Sequence, residues 1–323
     1  MIVLLTGANG FLGSHLARQL LDQGYTVRAL LRPSAPTPTL ENLPLERVWG
    51  DLRDRSAVVR AAEGCTYIIH AGAMASVNPA RNQAVWDVNL KGTENILRAA
   101  RLTDVERLVY VGTANVFGFG TKEQPGNETN AYLGSRYGLD YMDSKQAATQ
   151  RVLQSGVPSV LVHPTFMLGP FDHKPTSGAL LIGLYKGQLA GIPAGGKNYI
   201  HVSDVAMATI NSLTKGRTGE QYILGNQNLD YAEAFRLMAD VMGCSAPAFS
   251  VPKSLAWILG QLGGLQYRLT GKLARLNPAM VAVANDGHYF NPQKAIDELQ
   301  LPQTPIRAAI SDAFDWFRAN GYC

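Results

Sequence analysis

Short apolar runs alternate with helical segments through the N-terminal half of this chain. The runs are rich in Val, Ile and Leu, which is typical of strands in a buried sheet. Six of them predict strands, at Ile2–Leu5, Thr26–Leu31, Arg47–Trp49, Tyr67–His70, Leu108–Val111 and Ser159–Val162. Because helical segments separate them, the pattern predicts an α/β fold: a doubly wound parallel sheet with crossover helices.

The helical segments have one apolar face each. In the first, leucines recur every four residues from Leu12 until Gly24 ends the pattern. Further helices are predicted over Gly92–Arg101 and Tyr137–Leu153, the latter followed by a glycine and a proline that stop it.

The alternation loosens after residue 165, where a stretch rich in Gly, Pro, Lys and Ser follows. From Tyr231 the pattern is mostly helical and closes with Ala308–Ala319. We therefore expect the sheet domain over residues 1–165 and a smaller, mostly helical substrate lobe over 166–323. Strands at Tyr199–Val202 and Gln221–Leu224 are expected to rejoin the first sheet.

The composition is that of an ordinary globular protein, with 323 residues, 46% hydrophobic and 17% charged. The net charge of +4 is small and spread along the chain, which gives no sign of a nucleic-acid partner. Three cysteines, Cys65, Cys244 and Cys323, have no paired spacing and favour a reducing cytoplasm. The histidines lack ligand spacing, so no metal site is expected.

One apolar segment, Leu255–Leu265, comes nearest to a membrane sequence. It is shorter than the ~18 residues of a spanning helix, so no transmembrane segment is predicted. We interpret it as a helix of the C-terminal lobe that packs its apolar face on the core, with docking on a membrane surface as the alternative. Two adjacent glycines argue against an amphipathic anchor. The first strand starts at Ile2 without a basic leader, which also favours the cytoplasm.

The sequence TGANGFLG joins the first predicted strand to the first predicted helix. Gly7, Gly10 and Gly13 fall at three-residue spacing, where side chains would block the turn or hold a phosphate away. The helix, with Phe11 in its first turn, offers unpaired N–H groups and the positive end of its dipole to an anion. This pattern predicts a dinucleotide-binding Rossmann fold.

The end of the second strand bears on which dinucleotide binds. A carboxylate there would accept hydrogen bonds from the ribose hydroxyls of NAD, whereas a cation would pair with a 2′-phosphate. No carboxylate lies between Asp22 and Glu41, and Arg32 ends the strand. Since arginine donates two parallel hydrogen bonds to phosphate, we predict NADP(H), with Asp51 and Leu52 near the adenine. The alternative for Arg32 is an ordinary surface arginine. The alternative for Asp51 and Leu52 is a polar turn followed by a core leucine.

The segment YMDSK places Tyr141 and Lys145 four residues apart on one helix face. A free phenol has a pKa near ~10 and is a poor acid. We expect the ammonium to lower that pKa, so that Tyr141 can protonate a carbonyl oxygen that receives hydride. Thr113, just past the fifth strand, is expected to hold the same oxygen. A solvated surface pair is the alternative for the Tyr–Lys spacing taken alone.

Taken together, these segments resemble the extended short-chain dehydrogenase/reductases of the NAD-dependent epimerase/dehydratase family. The resemblance rests on TGANGFLG, GDLRD, HAGA, VNLKGT, VGTANVFG and YMDSK, with PTFMLGP and GGKNYIHVSDVA in the second half. It covers essentially the whole chain. It implies that Thr113, Tyr141 and Lys145 form a catalytic triad, and that Asn89 holds the active-site helix or a proton-relay water. Paired active-site helices in relatives imply a homodimer. The remaining cofactor contacts implied by the resemblance are Lys145, Ala71, Pro164, Thr165 and Phe166.

The chain departs from the sugar-nucleotide epimerases of that superfamily. They usually carry a diphosphate-gripping arginine in the segment that here reads GGKNYIHVSD, where this chain has Lys197 and Asn198. What remains is similar to the dihydroflavonol-reductase and hydroxysteroid-dehydrogenase branch, which acts on bulky, often apolar ketones and alcohols. Candidate substrate residues are Phe117, Phe166 and His173.

The resulting prediction is an NADP(H)-dependent carbonyl reductase for a bulky, apolar small molecule, with Tyr141 as the proton donor. Two alternatives stay open. One is a nucleotide-sugar epimerase or dehydratase with tightly bound NAD. The other is a protein that senses the dinucleotide and has little catalytic activity.

Overall fold

The computed structural model describes residues 1–274 and 276–323, so Arg275 lies outside the described residues. Within these ranges, seven parallel strands form one sheet in the order β3-β2-β1-β4-β5-β6-β9. Their bounds are β1 Ile2–Thr6, β2 Thr26–Leu31, β3 Glu46–Trp49, β4 Tyr67–His70, β5 Arg107–Val111, β6 Ser159–Pro164 and β9 Gln221–Leu224.

Helices cover both faces of this sheet, as a doubly wound fold requires. On one face lie α1 Phe11–Asp22, α7 Val202–Asn211 and α11 Gln293–Leu299, and on the other α2 Arg55–Ala62, α4 Gly92–Leu102 and α5 Asp140–Leu153. The predicted leucine face of α1 is buried. Strand order reverses between β1 and β4, which is where ligands bind in such sheets.

A second, four-stranded sheet belongs to the C-terminal half. Strand β8 Gly196–His201 pairs with β7 Phe166–Leu168, β10 Gln227–Asp230 and β11 Gly287–His288. Helices α6 Gly178–Tyr185, α8 Tyr231–Met242 and α12 Ile306–Ala319 share an apolar cluster against it. The remaining helices are α3 Gln83–Trp86, α9 Lys253–Thr270 and α10 Pro278–Asn285.

Two predicted elements differ from the structure. The expected strand at Tyr199–Val202 is β8, so it lies in the second sheet, whereas Gln221–Leu224 does join the first as β9. The periodic pattern carries no information about which sheet a strand joins. Helix α5 begins at Asp140 instead of residue 137, because Gly138 adopts a left-handed conformation (φ 60°) that ends a preceding 3₁₀ turn.

The interpretation of Leu255–Leu265 as a core-packed helix is wrong. The segment is helical within α9, but Gly260 is its buried residue, and the large apolar side chains are exposed. No described helix is both long enough and apolar enough to cross a bilayer.

Candidate active site

The glycine turn lies at the carboxyl end of β1, where the backbone approaches its neighbours too closely for any side chain. Gly7 has φ 72°, and a β-carbon there would lie 2.7 Å from the amide nitrogen of Gly72. A β-carbon at Gly13 would lie 1.9 Å from the carbonyl oxygen of Gly7. These contacts let α1 begin directly against the strand end.

The N-terminus of α1 is free to receive an anion. Its capping residue, Gly10, supplies no side-chain cap, and the first turn carries no acidic residue. The first N–H groups of the helix and its positive dipole end are therefore available to a ligand phosphate.

Two cavities meet at this turn. One, of about 300 Å³, runs toward β2 and β4, and the other, of about 390 Å³, runs toward β5 and α5. The residues that line both are Gly7, Asn9, Gly10, Arg32, Ala71 and Ala73. A trough with the helix N-terminus at its middle suits a dinucleotide, whose pyrophosphate lies between its two nucleosides.

At one end of the trough, Arg32 is exposed and makes no ion pair with any other described residue. Asp51, by contrast, is held by Arg53, which donates to both carboxylate oxygens at 2.9 and 2.8 Å. The hydrogen bonds from Arg53 lower the pKa of Asp51 to about 2. Leu52 lines the same cavity. Arg32 is thus the uncommitted cation at this end.

At the other end, Tyr141, Lys145 and Thr113 line one cavity. Lys145 is 3% exposed, and its Nζ donates a 2.6 Å hydrogen bond to the carbonyl oxygen of Val111. Nζ also lies 4.4 Å from the centre of the Tyr110 ring. Burial lowers the pKa of Lys145 to about 7.

The expectation that Lys145 lowers the pKa of Tyr141 is wrong for the protein without cofactor. Burial raises the pKa of Tyr141, and a hydrogen bond with the Thr113 hydroxyl opposes that rise only in part. The ammonium of Lys145 donates its hydrogen bond to the Val111 carbonyl instead.

Asn89 lies in a π-helical turn, Asp87–Lys91, that interrupts the run from α3 to α4. Its side chain accepts from the amide of Met74 at 2.8 Å and donates to the carbonyl oxygen of Met74 and to the hydroxyl of Ser144 at 3.2 and 3.0 Å. It therefore connects the loop after β4, which lines the trough, to α5. Local π turns of this kind are frequent at functional sites.

A smaller chamber of about 70 Å³ opens on the far side of Thr113. Pro164, Thr165 and Phe166 line it, and Phe166 packs edge-to-face on Tyr199. His173 lines the larger cavity, and its ring nitrogens have no partner among the described residues. Phe117 lines neither space, because its ring is 4% exposed and packs on His163.

Sequence reasoning missed part of this chamber. His288, from β11, donates a 2.9 Å hydrogen bond from Nδ1 to the side-chain oxygen of Asn115 and stacks on Phe119 with ring centres 4.2 Å apart. Lys197 and Asn198 line the same chamber from β8. Asn115 and His288 are far apart in the chain, so spacing gives no signal that they meet.

Residues 3–225 match the model of the NAD dependent epimerase/dehydratase family, and the chain belongs to that family. Membership places it among the extended short-chain dehydrogenase/reductases and indicates NAD(P)-dependent oxidoreductase or epimerase chemistry.

Reductases are among its relatives. A putative dihydroflavonol 4-reductase of Synechocystis is 32% identical over 98% of this chain and 95% of its own length. The 4-hydroxy-2-methyl-3-oxo-4-farnesyl-3,4-dihydroquinoline-1-oxide ketoreductase of Stigmatella aurantiaca is 28% identical over 93% and 91%. Among solved structures, that of gox2253 is 30% identical, with a TM-score of 0.88 over 99% of both chains. The fold prediction is therefore confirmed, and the relatives support an oxidoreductase.

Proposed function

We propose that this protein reduces a ketone or aldehyde of a bulky, apolar small molecule with NADPH, reversibly. The observation that carries the proposal is the convergence of Tyr141, Lys145 and Thr113 on the cavity that also holds the glycine turn. A carbonyl compound placed beside Thr113 would meet a phenol, a hydroxyl and an ammonium at the cofactor trough. Two relatives with reductase or ketoreductase in their names support the same reaction class.

Each side chain has a distinct role in the proposed reaction. NADPH in the trough would supply hydride to the carbonyl carbon. Tyr141 donates its proton to the carbonyl oxygen, which completes the alcohol, and the phenolate then recovers a proton from solvent. Burial raises the pKa of Tyr141, which keeps the phenol protonated but makes it a weaker acid, so it would give up its proton only as negative charge develops on the carbonyl oxygen. Thr113 donates a hydrogen bond to the oxygen as negative charge develops.

Arg32 supports NADPH over NADH. Arg32 lines the cavity beside Asp51 and makes no ion pair with another described residue. Asp51, the nearest candidate acceptor for ribose hydroxyls, is already paired with Arg53. A 2′-phosphate beside Arg32 would gain a charge-assisted hydrogen bond.

The lining of the space around Thr113 supports an apolar substrate. Phe166 and Phe290 line the small chamber, and Phe11 and Met167 line the larger cavity. Polar side chains share the small chamber, among them Asn115, Lys197 and His288, so a substrate there would combine an apolar body with polar groups.

The test is a screen of carbonyl compounds for loss of NADPH absorbance, with wild-type protein, Tyr141→Phe and the remote control Tyr25→Phe. We expect turnover by wild type and the control. Tyr141→Phe should lose roughly 10²–10⁴-fold in kcat while binding NADPH normally. Full activity in Tyr141→Phe would overturn the proposed role.

The same experiment separates the alternatives. An epimerase would be purified with non-exchanging NAD and would leave NADPH unconsumed. A dinucleotide-sensing protein would bind NADPH but turn over none of the carbonyl compounds.

A further inference from the structure

Helix α9 carries its large apolar side chains on the outside of the molecule. Trp257 is 61% exposed and Leu262 57% exposed. The exposed large apolar residues of α9 between positions 255 and 265 are Leu255, Trp257, Ile258, Leu259, Leu262 and Leu265. Single exposed apolar residues are common, but a contiguous set of this size on one helix marks an interaction surface.

The inward face of α9 is made of glycines, and this explains why its large apolar side chains face outward. A β-carbon at Gly263 would lie 2.0 Å from the carbonyl oxygen of Leu276, and one at Gly260 would lie 3.1 Å from the Val281 side chain. Helix α10 and the segment before it therefore approach so closely that only glycine fits. The leucines and Trp257 are turned away from the protein as a result.

The chain segment that contains α9 carries positive charge only. No Asp or Glu occurs from residue 241 to residue 285. Lys253, Arg268 and Lys272 are exposed at the two ends of α9. Cations at both ends of an apolar helix complement the negative headgroups of anionic phospholipids.

We propose that α9 docks this protein on an anionic phospholipid membrane, lying in the interface with the face formed by Leu255, Ile258, Leu262 and Leu265 in the headgroup and acyl boundary. The helix has 18 residues and does not qualify as a spanning segment, which fits a helix that lies along the surface. A second copy of the chain fits less well. In a two-fold interface the same face meets itself, so the cations of α9 would face those of its partner without a carboxylate to pair with.

The inward side of α9, opposite the proposed docking face, borders the interior of the substrate half. A cavity of about 310 Å³ lies between α9 and Tyr137, lined also by Asn78 and Pro278. Tyr137 belongs to the apolar cluster on which Tyr141 packs. The helix that carries the proposed membrane face therefore borders a cavity next to the apolar cluster on which Tyr141 packs.

Vesicle co-sedimentation of the full chain tests the proposal without any turnover assay, so its outcome is independent of the proposed reaction. Vesicles of phosphatidylcholine alone are compared with vesicles that also contain phosphatidylglycerol. The variants are Ile258→Asp with Leu262→Asp, and Lys253→Gln with Arg268→Gln and Lys272→Gln. The control is Leu102→Asp, at a residue 59% exposed on α4.

We expect wild type and Leu102→Asp to bind the anionic vesicles, and the double aspartate variant to lose binding. The triple glutamine variant should bind roughly a hundredfold more weakly, because it has lost three cations that would lie near the anionic surface. All variants should melt like wild type, because the substituted side chains are exposed.

Three outcomes would overturn the proposal. They are failure of wild type to bind anionic vesicles, equal binding by the double aspartate variant, and a dimer of wild type in solution that this variant breaks while vesicles bind neither protein. The last would assign the face to a second copy.

Discussion

The ammonium of Lys145 donates a 2.6 Å hydrogen bond to the backbone carbonyl of Val111, the last residue of β5. This bond ties the active-site face of α5 to the strand that leads to Thr113. It also leaves a buried cation with one neutral hydrogen-bond acceptor, which is why burial lowers the pKa of Lys145 to about 7.

The first prediction concerns the stability of the cofactor-free protein. Because the folded-state pKa of Lys145 lies below its usual 10.5, the unfolded chain binds more protons between pH 7 and 10.5. Burial of the charged form therefore destabilises the fold fully below pH 7, and this effect fades as pH rises. Lys145→Met should stabilise the protein more at pH 6 than at pH 9, by about 2–3 kcal/mol in urea unfolding.

The control for this experiment is Lys186→Met, at an exposed lysine. The change that Lys186→Met causes in the free energy of unfolding should be the same at pH 6 and at pH 9. An effect of Lys145→Met that does not depend on pH would contradict the assignment of a destabilising buried charge.

Local spacing was enough to predict which residues come together at the candidate site. The glycine turn is defined by residues 7–13 alone. Residues four apart, such as Tyr141 and Lys145, lie on the same face of any helix. Thr113 was found because the end of a predicted parallel strand fixes which edge of the sheet a residue occupies. These inferences depend on contacts between residues close in the chain, or on the general rule for strand ends.

What the sequence did not predict depends on long-range packing. The apolar pattern of α9 would be identical whether its leucines faced the core or solvent, and only the close approach of α10 to Gly260 and of Leu276 to Gly263 decides between them. The pairing of His288 with Asn115, and the placement of β8 in the second sheet, likewise depend on how distant segments meet.

The second prediction concerns cofactor choice. Arg32→Gln should weaken NADPH binding by roughly 10–100-fold, since a hydrogen bond between charged groups contributes about 1.5–3 kcal/mol. NADH binding should change little. Dissociation constants from titration calorimetry check this, with Arg55→Gln, exposed and outside the trough, as the control. Equal losses for both dinucleotides would contradict a 2′-phosphate contact.

The third prediction concerns Asn89 as a positioning residue. Asn89→Ala leaves the buried Ser144 hydroxyl and the Met74 backbone without their partner, and should destabilise the fold by about 1–3 kcal/mol. It should also lower kcat by roughly tenfold or more, with little change in KM, because α5 carries Tyr141.

Ser144→Ala separates the two effects. It removes the contact to α5 and keeps the bonds between Asn89 and Met74. We expect a smaller loss of stability than in Asn89→Ala, together with a measurable fall in kcat. Unchanged kcat in both variants would show that Asn89 has no part in positioning α5.

The last prediction concerns acid. Burial lowers the pKa of His70 and of His163 to about 3, of His288 to about 2 and of His15 to about 4. Each stays neutral in the folded protein while its unfolded counterpart gains a proton below about pH 6.5. The unfolded chain then binds more protons, so the free energy of unfolding decreases as pH is lowered, by about 1.4 kcal/mol per pH unit for each histidine until its folded pKa is reached.

The variant His163→Leu should therefore lose about 2 kcal/mol less free energy of unfolding than wild type between pH 7 and pH 5 in urea unfolding. The comparison is made within each protein, so the packing change at residue 163, which does not depend on pH, cancels. An unaltered pH slope would mean that His163 is protonated in the folded state at pH 5.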